Sequence, residues 1–153
     1  RAVSEFNYRY ADAEDAHVLV GVKLKSTKER EAVLKDMRAE GISVTDLSHD
    51  RLAKRHLRHM VGGRASTDIT EVIYSFEFPE RPGALTEFLI NLDARWNISL
   101  FHYRNHGNST GQVLCGFQVP NGDVDALEVS LQETGYPMQC ETENPAYGYF
   151  LRG

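Results

Sequence analysis

The side chains able to do chemistry in this chain are few, and their spacing excludes most reactions. No Gly-x-x-x-x-Gly-Lys phosphate loop is present, and Val61-Gly62-Gly63-Arg64 reads more simply as a hinge or turn. The lysines, Lys23, Lys25, Lys28, Lys35 and Lys54, all sit among charged neighbours rather than in an apolar pocket that would tune an amine for Schiff-base chemistry. His56 and His59, or His102 and His106, could be read as metal-ligand pairs, but neither pair has a carboxylate or thiolate beside it. On or just past a strand, an i,i+4 spacing does not bring two ligands together as it does on a helix. Solvated or structural histidines are the expectation, with no metal site. Cys115 and Cys140 are too few and too far apart for a disulfide framework or a zinc knuckle. Their apolar or strand-forming neighbours predict two buried free thiols in a reducing cytoplasm. No catalytic residue is assigned.

What remains is a binding signal. Glu80-Arg81-Pro82-Gly83-Ala84-Leu85 lies between a predicted strand and a predicted helix. Pro at the first helical position loses no hydrogen bond, and glycine lets a ligand approach the main chain closely. The N–H groups of Gly83, Ala84 and Leu85 would then face outward at the positive end of the helix dipole, an anion site sized for a carboxylate. An ordinary strand-to-helix turn is the competing reading. The second signal is a Phe-x-Tyr-Arg tetrad that occurs twice, as Phe6-Asn7-Tyr8-Arg9 and Phe101-His102-Tyr103-Arg104. In each, Phe and Tyr share one strand face and Arg projects from the other. Taken singly these rings read as core; their recurrence suggests a paired site for a small amphipathic molecule.

The elements that must position these groups follow from an internal repeat. A shift of 95 positions lays the first tetrad on the second and Val18-Leu19-Val20-Gly21-Val22 on Val113-Leu114-Cys115-Gly116-Phe117. With a one-residue deletion the alignment continues, so that Gly41 meets Gly135 and Leu57-Arg58 meets Leu151-Arg152. Each unit reads as strand, strand, helix, strand: Val3–Tyr10, Val18–Leu24, a helix from Ser26 or Thr27 to Gly41, and Ile42–Leu47 in the first. Ile98–Arg104, Val113–Val119, Val124–Thr134 and Tyr136–Thr142 follow in the second. The second unit also has a prefix, the alternating strand Val72–Phe78 and a helix over Ala84–Trp96.

The fold class expected is therefore α+β, two tandem ferredoxin-like βαββαβ units, 1–63 and 64–153, the first lacking its opening strand and helix. Without that strand the first sheet would present an unpaired edge. It should borrow a neighbour from the second unit or another chain, or be partly disordered.

Length and charge set the outer bounds. The chain has 153 residues, 41% of them hydrophobic and 25% charged, enough apolar side chain for a core and too much for disorder of the whole. A net charge of -5 argues against nucleic-acid binding. No apolar run approaches the roughly 20 residues of a membrane span, and Arg1–Tyr10 has no signal-peptide stretch. The absence of an initiator Met reads as a chain processed or excised from something longer.

Several long motifs carry a family resemblance. Ser4-Glu5-Phe6-Asn7-Tyr8-Arg9, Met60-Val61-Gly62-Gly63-Arg64, Phe76 to Leu85, Trp96 to Arg104 and Glu143-Asn144-Pro145-Ala146 resemble the C-terminal regulatory region of biosynthetic threonine dehydratases, from near Arg1 to Gly153. The resemblance implies two ACT-like subdomains that bind isoleucine as inhibitor and valine as its opponent. It implies a cytoplasmic homo-oligomer, typically a tetramer. An N-terminal catalytic domain, absent from this sequence, would use pyridoxal phosphate to turn L-threonine into 2-oxobutanoate and ammonia. No cofactor is implied for this chain itself. Carried over by position, the effector site comprises Phe6, Tyr8, Pro82, Gly83, Ala84, Leu85, Asn97, Phe101, Tyr103 and Arg104. The isoleucine carboxylate would rest on the loop amides and its side chain against Leu85, Phe101 and Tyr103. Arg104 falls in a motif where the family can lose feedback sensitivity, and Asn97 at a position that can meet the ligand amino group or simply end a turn. A stand-alone ACT-type amino-acid regulator, or a small ferredoxin-like enzyme, would account for part of the same pattern.

Overall fold

Alternation of apolar and polar residues builds the sheet. The computed structural model describes residues 1–11, 14–60, 62–65, 69–92, 94–105, 107, 109–120 and 122–153, and of residue 60 only the backbone. The strands are β1 (Ala2–Arg9), β2 (Val18–Lys23), β3 (Glu71–Pro79), β4 (Asn97–Arg104), β5 (Thr110–Gln118) and β6 (Met138–Cys140). The α-helices are α1 (Thr27–Ala39), α2 (Arg58–Met60), α3 (Ala84–Asn91), α4 (Val124–Glu133) and α5 (Pro145–Phe150), with a π-helical turn over Ala53–Leu57 leading into α2. One antiparallel six-stranded sheet runs β2-β1-β4-β5-β3-β6.

Within it β4-β5-β3-β6 is the ferredoxin-like order: the β3–α3–β4 crossover passes over β5, and the β5–α4–β6 crossover passes over β3. The α+β class and the ACT-like pattern therefore hold. Tyr74, Phe76 and Phe78 of β3 enter the core with Phe88 of α3 and Leu127 and Leu131 of α4. Phe76 meets Phe88 edge-on at 5.1 Å.

The first half joins this sheet as expected, by borrowing. β1 pairs with β4 in the register Phe6↔Tyr103, Asn7↔His102, Tyr8↔Phe101. The repeat carries Phe6 to Phe101 and Tyr8 to Tyr103, so the ladder exchanges the two copies about a local two-fold axis at the Asn7–His102 pair. The axis also fixes the opposite face. There Arg9, whose side chain is 5% exposed, donates from Nη1 to Glu71 Oε2 at 2.7 Å and from Nη2 to the Leu151 carbonyl at 2.7 Å. Glu71 also accepts from the Ser99 hydroxyl and from Tyr147 at 3.0 Å. A Cβ at Gly116 would come within 3.0 Å of Leu100 Cβ and 3.1 Å of Glu71 Oε2, so β5 needs glycine where this network crosses it. The network ties β1, β3 and β4 to α5, a helix the sequence reading left out; Asn144 caps it by accepting from Ala146 N–H at 2.9 Å.

Four expectations are corrected. Ile42–Leu47 is not a strand. Its counterpart β6 pairs only with β3, and among the described residues the first half holds no counterpart of β3 for it to join. The last strand shrinks from Tyr136–Thr142 to Met138–Cys140, and as a short edge it leaves Cys140 exposed, while Cys115 is buried as expected. The second unit's first helix ends at Asn91, well short of Trp96. The helical stretch through Ala53–Leu57 and α2 was not anticipated at all. The proposed hinge falls partly on residue 61, outside the described residues; Gly62 and Gly63 beside it both take positive φ.

Glu71→Ala is expected to destabilise the fold by about 3–5 kcal/mol in urea denaturation, because it strands the Arg9 guanidinium in the interior. The double change Arg9→Met with Glu71→Leu should recover most of that loss. An equal loss in the double variant would assign the effect to packing instead of charge.

Candidate functional site

The two-fold ladder gathers the aromatic residues of both tetrads on one side of the sheet. Phe101 and Tyr103 are buried in the core, Phe6 and Tyr8 are half-buried against it, and Phe6 meets Phe101 edge-on at 5.5 Å. Arg9 and Arg104 project from the opposite face, as predicted. Arg9 is consumed by Glu71, whereas Arg104 is half-buried and, among the described residues, forms no ion pair.

The loop between β3 and α3 reaches the end of this aromatic strip. Because β3 and β4 run parallel two strands apart, the end of β3 lies beside the end of β4 and the start of β1. Asn105 N–H donates to the Ser4 carbonyl at 2.8 Å and closes that end. Gly83 takes φ +83 and is the N-cap of α3; Pro82 and Gly83 are exposed. This corrects the loop in two respects. Pro82 precedes the cap and does not begin the helix, because the left-handed turn at Gly83 comes first. The Ala84 N–H is not free, since it donates to the Arg81 carbonyl at 3.1 Å, and Ala84 is buried. Arg81 and Glu87 form an ion pair across the helix start.

One residue of this loop was not among the candidates. Glu80 carries its carboxylate back over the sheet, where it accepts from Tyr103 Oη at 3.0 and 3.2 Å and from Asn105 Nδ2 at 2.6 Å. Its own N–H donates to the Ser109 carbonyl at 3.0 Å. Beneath it lies Gly111, where a Cβ would stand 2.9 Å from Glu80 Oε1 and 3.2 Å from the Tyr103 ring. The sequence held a hint in a carboxylate placed directly before Arg-Pro-Gly, but the glycine opposite is visible only in the β3–β5 register, Phe78↔Gly111.

The remaining candidates divide between the two ends of the ladder. Tyr103, Phe6 and Arg104 lie at the loop end with Pro82, Gly83, Ala84 and Leu85. Tyr8 and Phe101 lie toward the other end. Asn97 is there too, six residues and ~20 Å along β4 from Tyr103. Its Nδ2 donates to Gln118 Oε1 at 2.8 Å, so Asn97 does not join the loop.

Two clefts open on the face away from the aromatic residues, and neither is lined by Pro82–Leu85. One, of about 360 Å³, is bordered by Glu77, His102, Arg104, Gln112, Met138 and Gln139. The other, of about 330 Å³ and more apolar, lies under α5 between Ile73, Leu114, Tyr147 and Phe150. Among the described residues no three His, Cys, Asp or Glu side chains are grouped to hold a metal, and His106 lies outside them. No helix is long and apolar enough to cross a membrane among the described residues. The loop end therefore brings together the Glu80 carboxylate, the Tyr103 hydroxyl, the Asn105 amide and the exposed main chain at Pro82 and Gly83.

Comparison with known proteins places the chain in a family. The family model for the C-terminal regulatory domain of threonine dehydratase matches residues 1–57 and 62–151. The chain is 51% identical over its whole length to the biosynthetic L-threonine dehydratase IlvA of Escherichia coli, of which it covers 30%. It is 42% identical over 99% of its length to the mitochondrial threonine dehydratase of Saccharomyces cerevisiae, covering 28% of that protein. A threonine dehydratase of Nicotiana attenuata is 40% identical over 94% of the chain, which covers 24% of it. The chain thus spans less than a third of the length of these relatives.

The site has a signature in alkali. Tyr103 is pushed up to about 12, chiefly by burial and then by its hydrogen bond to Glu80 and the charge there. Burial first, and then Cys140 at Tyr74 and Glu71 at Tyr147, pushes these two phenols up to about 12 as well. A phenol whose pKa is raised by folding stabilises fully below the ordinary tyrosine value and loses that contribution as pH climbs to the folded value. The urea midpoint is expected to fall steadily between about pH 10 and pH 12, and Tyr103→Phe should flatten the decline. A midpoint that does not change over that interval would contradict the burial of these hydroxyls.

Proposed function

Because this chain belongs to the family of C-terminal regulatory domains of threonine dehydratase, we propose that it senses branched-chain amino acids on behalf of a catalytic domain elsewhere in the same protein. Isoleucine is the inhibitory effector and valine its opponent. The catalytic domain, carrying pyridoxal phosphate, converts L-threonine to 2-oxobutanoate and ammonia in the cytoplasm, and the whole protein is a homo-oligomer, in the family's manner a tetramer. Residues 1–63 and 64–153 act as the two sensor halves. The observation that carries this reading is the exchange of the two Phe-x-Tyr-Arg copies across one antiparallel ladder, Phe6 against Tyr103 and Tyr8 against Phe101. A duplicated strand pair of that kind supports two related binding places at opposite ends of a shared aromatic strip.

At the loop end, the effector carboxylate lies against the main chain from Pro82 to Leu85, where the Ala84 N–H is already engaged, with Tyr103 and Phe6 beside it on the aromatic face; Arg104 leaves that end from the opposite face and Phe101 lies toward the other end. At the other end, Tyr8 and Asn97 serve the second place. The side chains of isoleucine and valine differ by one methylene, worth only about 1–3 kcal/mol in an apolar pocket. Opposite effects from ligands so alike require that each prefer a different conformation of the sensor, with a coupling of ~1–3 kcal/mol between sites. The continuous sheet supports such coupling, since a shift of β1 against β4 moves both ends at once.

Calorimetric titration with isoleucine and valine is expected to give saturable binding of both, with each weakening the other. In the full-length protein, Tyr103→Phe keeps the buried ring and removes only the hydroxyl; it should weaken isoleucine inhibition while threonine turnover stays unchanged. Full inhibition in that variant would remove the Tyr103 hydroxyl from the mechanism. No binding of either amino acid would overturn the sensor reading.

A further inference from the structure

We propose that the cleft across β4, β5 and β3, on the face away from the aromatic strip, is a separate recognition site for a small dipolar ion of the hydroxyl-bearing α-amino acid class. Arg104 takes its carboxylate and Glu77 its ammonium group. The site goes beyond the sensor reading and stands whether or not isoleucine binds at the loop end, because its side chains project from the other side of the sheet. The strand ladders set them in a row. Arg104 of β4 lies opposite Gln112 of β5, and Gln112 lies opposite Glu77 of β3, so the three share one face in cross-strand order. With neighbouring strands roughly 4.8 Å apart, the main chains at Arg104 and Glu77 stand ~10 Å from each other. Glu77 is anchored there by its N–H, which donates to the Pro137 carbonyl at 3.0 Å. The cleft of about 360 Å³ opens between the two charged groups, with Gln139 on its far border.

The two charges are not spent on each other. Among the described residues neither Arg104 nor Glu77 forms an ion pair. Reach is not the reason. On the same face Arg9 crosses two strands to meet Glu71, whereas Arg104 would cross only β5 to meet Glu77. The nearer carboxylate is engaged elsewhere: Glu5 lies directly opposite Arg104 in the β1–β4 ladder, but it pairs with Arg58 at 3.0 Å. Arg104 is left half-buried on one side of the cleft and Glu77 exposed on the other. Opposite charges held apart in this way, with an amide between them, complement a molecule that carries a carboxylate and an ammonium group close together. A plain anion would meet Glu77 and a plain cation Arg104, so repulsion disfavours both. The guanidinium fork matches a carboxylate with two charge-assisted hydrogen bonds. His102, Gln112 and Gln139 border the remaining space, which suits a short hydroxyl-bearing side chain over a branched hydrocarbon.

The test titrates this chain by calorimetry with L-serine and with two molecules that each lack one of its charges, ethanolamine and 3-hydroxypropanoate. Isoleucine is present throughout, to occupy the loop end. Serine is expected to saturate, and each half-charged molecule to bind at least about 10-fold more weakly. Arg104→Gln should weaken serine by about 10-fold or more and leave ethanolamine unchanged. Glu77→Gln should weaken serine by a similar factor and leave 3-hydroxypropanoate unchanged or tighter. Both side chains lie outside the core, so the urea midpoint of each variant should match the wild type. The charge exchange Arg104→Glu with Glu77→Arg should recover much of the serine affinity, with the ligand reversed in the cleft. A wild type that binds no serine would overturn the proposal. So would serine binding undiminished in both single variants, or an equal loss of all three molecules in either one.

Discussion

Two strands that are copies of one another can share a ladder antiparallel only about a local two-fold axis, and the pairing of β1 with β4 is such a ladder. Most of the rest depends on it. It turns two partial sheets into one of six strands and gives β1 a partner on each side. It lays the aromatic residues of the two repeats in a single strip. On the other face it lets Arg9 reach across β4 and β5 to Glu71 of β3, deep enough that the guanidinium must be paired. An antiparallel ladder satisfies main-chain donors and acceptors without regard to side chain, and in this register Arg9 comes within reach of the buried Glu71 carboxylate.

The two faces of the ladder do different work. The aromatic side is dry and close-packed, with Phe78 stacked on Tyr103 at 5.7 Å and Phe88 reaching both Phe76 and Phe101. Packing at that density leaves little room for one ring to move without its neighbours. The other side is polar where Arg9, Glu71, Ser99 and Tyr147 meet, and it binds α5 to the sheet. A sensor needs both properties: a rigid strip against which a ligand can be judged, and a connection that carries the result to the chain's other elements. The Glu80 loop sits where the packed strip ends, with exposed Pro82 and Gly83 on one side and the Tyr103 hydroxyl on the other.

The repeat itself is imperfect in an informative way. Arg104 corresponds to Arg9 in sequence, yet Arg9 is enclosed by Glu71 and the Leu151 carbonyl while Arg104 borders an open cleft. Gly21 corresponds to Gly116. A Cβ at Gly116 would approach Glu71 Oε2, whereas one at Gly21 would strike Glu5, which pairs with Arg58 at 3.0 Å. The same glycine-floored place above the sheet is therefore filled by a carboxylate in both halves, drawn from different strands. Equivalent backbone positions keep equivalent needs even where the residues that meet them have changed.

The sequence by itself determined most of the sheet and its two long crossover helices: alternation marked β3 and its two faces, helical spacing marked α3 and α4, and the 95-position shift exposed the duplication, whereas α2 and α5 left no such signal. It also determined the family, through motifs long enough to stand alone. Those signals are local, or repeat at fixed distance, and so survive in one dimension. Which partner β1 would take, that Ile42–Leu47 would find none, that Cys140 would lie outside, and that Asn97 and Tyr103 occupy opposite ends of one strand are decided by pairing between distant segments. Glu80 is the sharpest case. A carboxylate before Arg-Pro-Gly is unremarkable until β5 brings Gly111 beneath it and β4 brings Tyr103 and Asn105 to its sides, and only the folded sheet makes those residues neighbours.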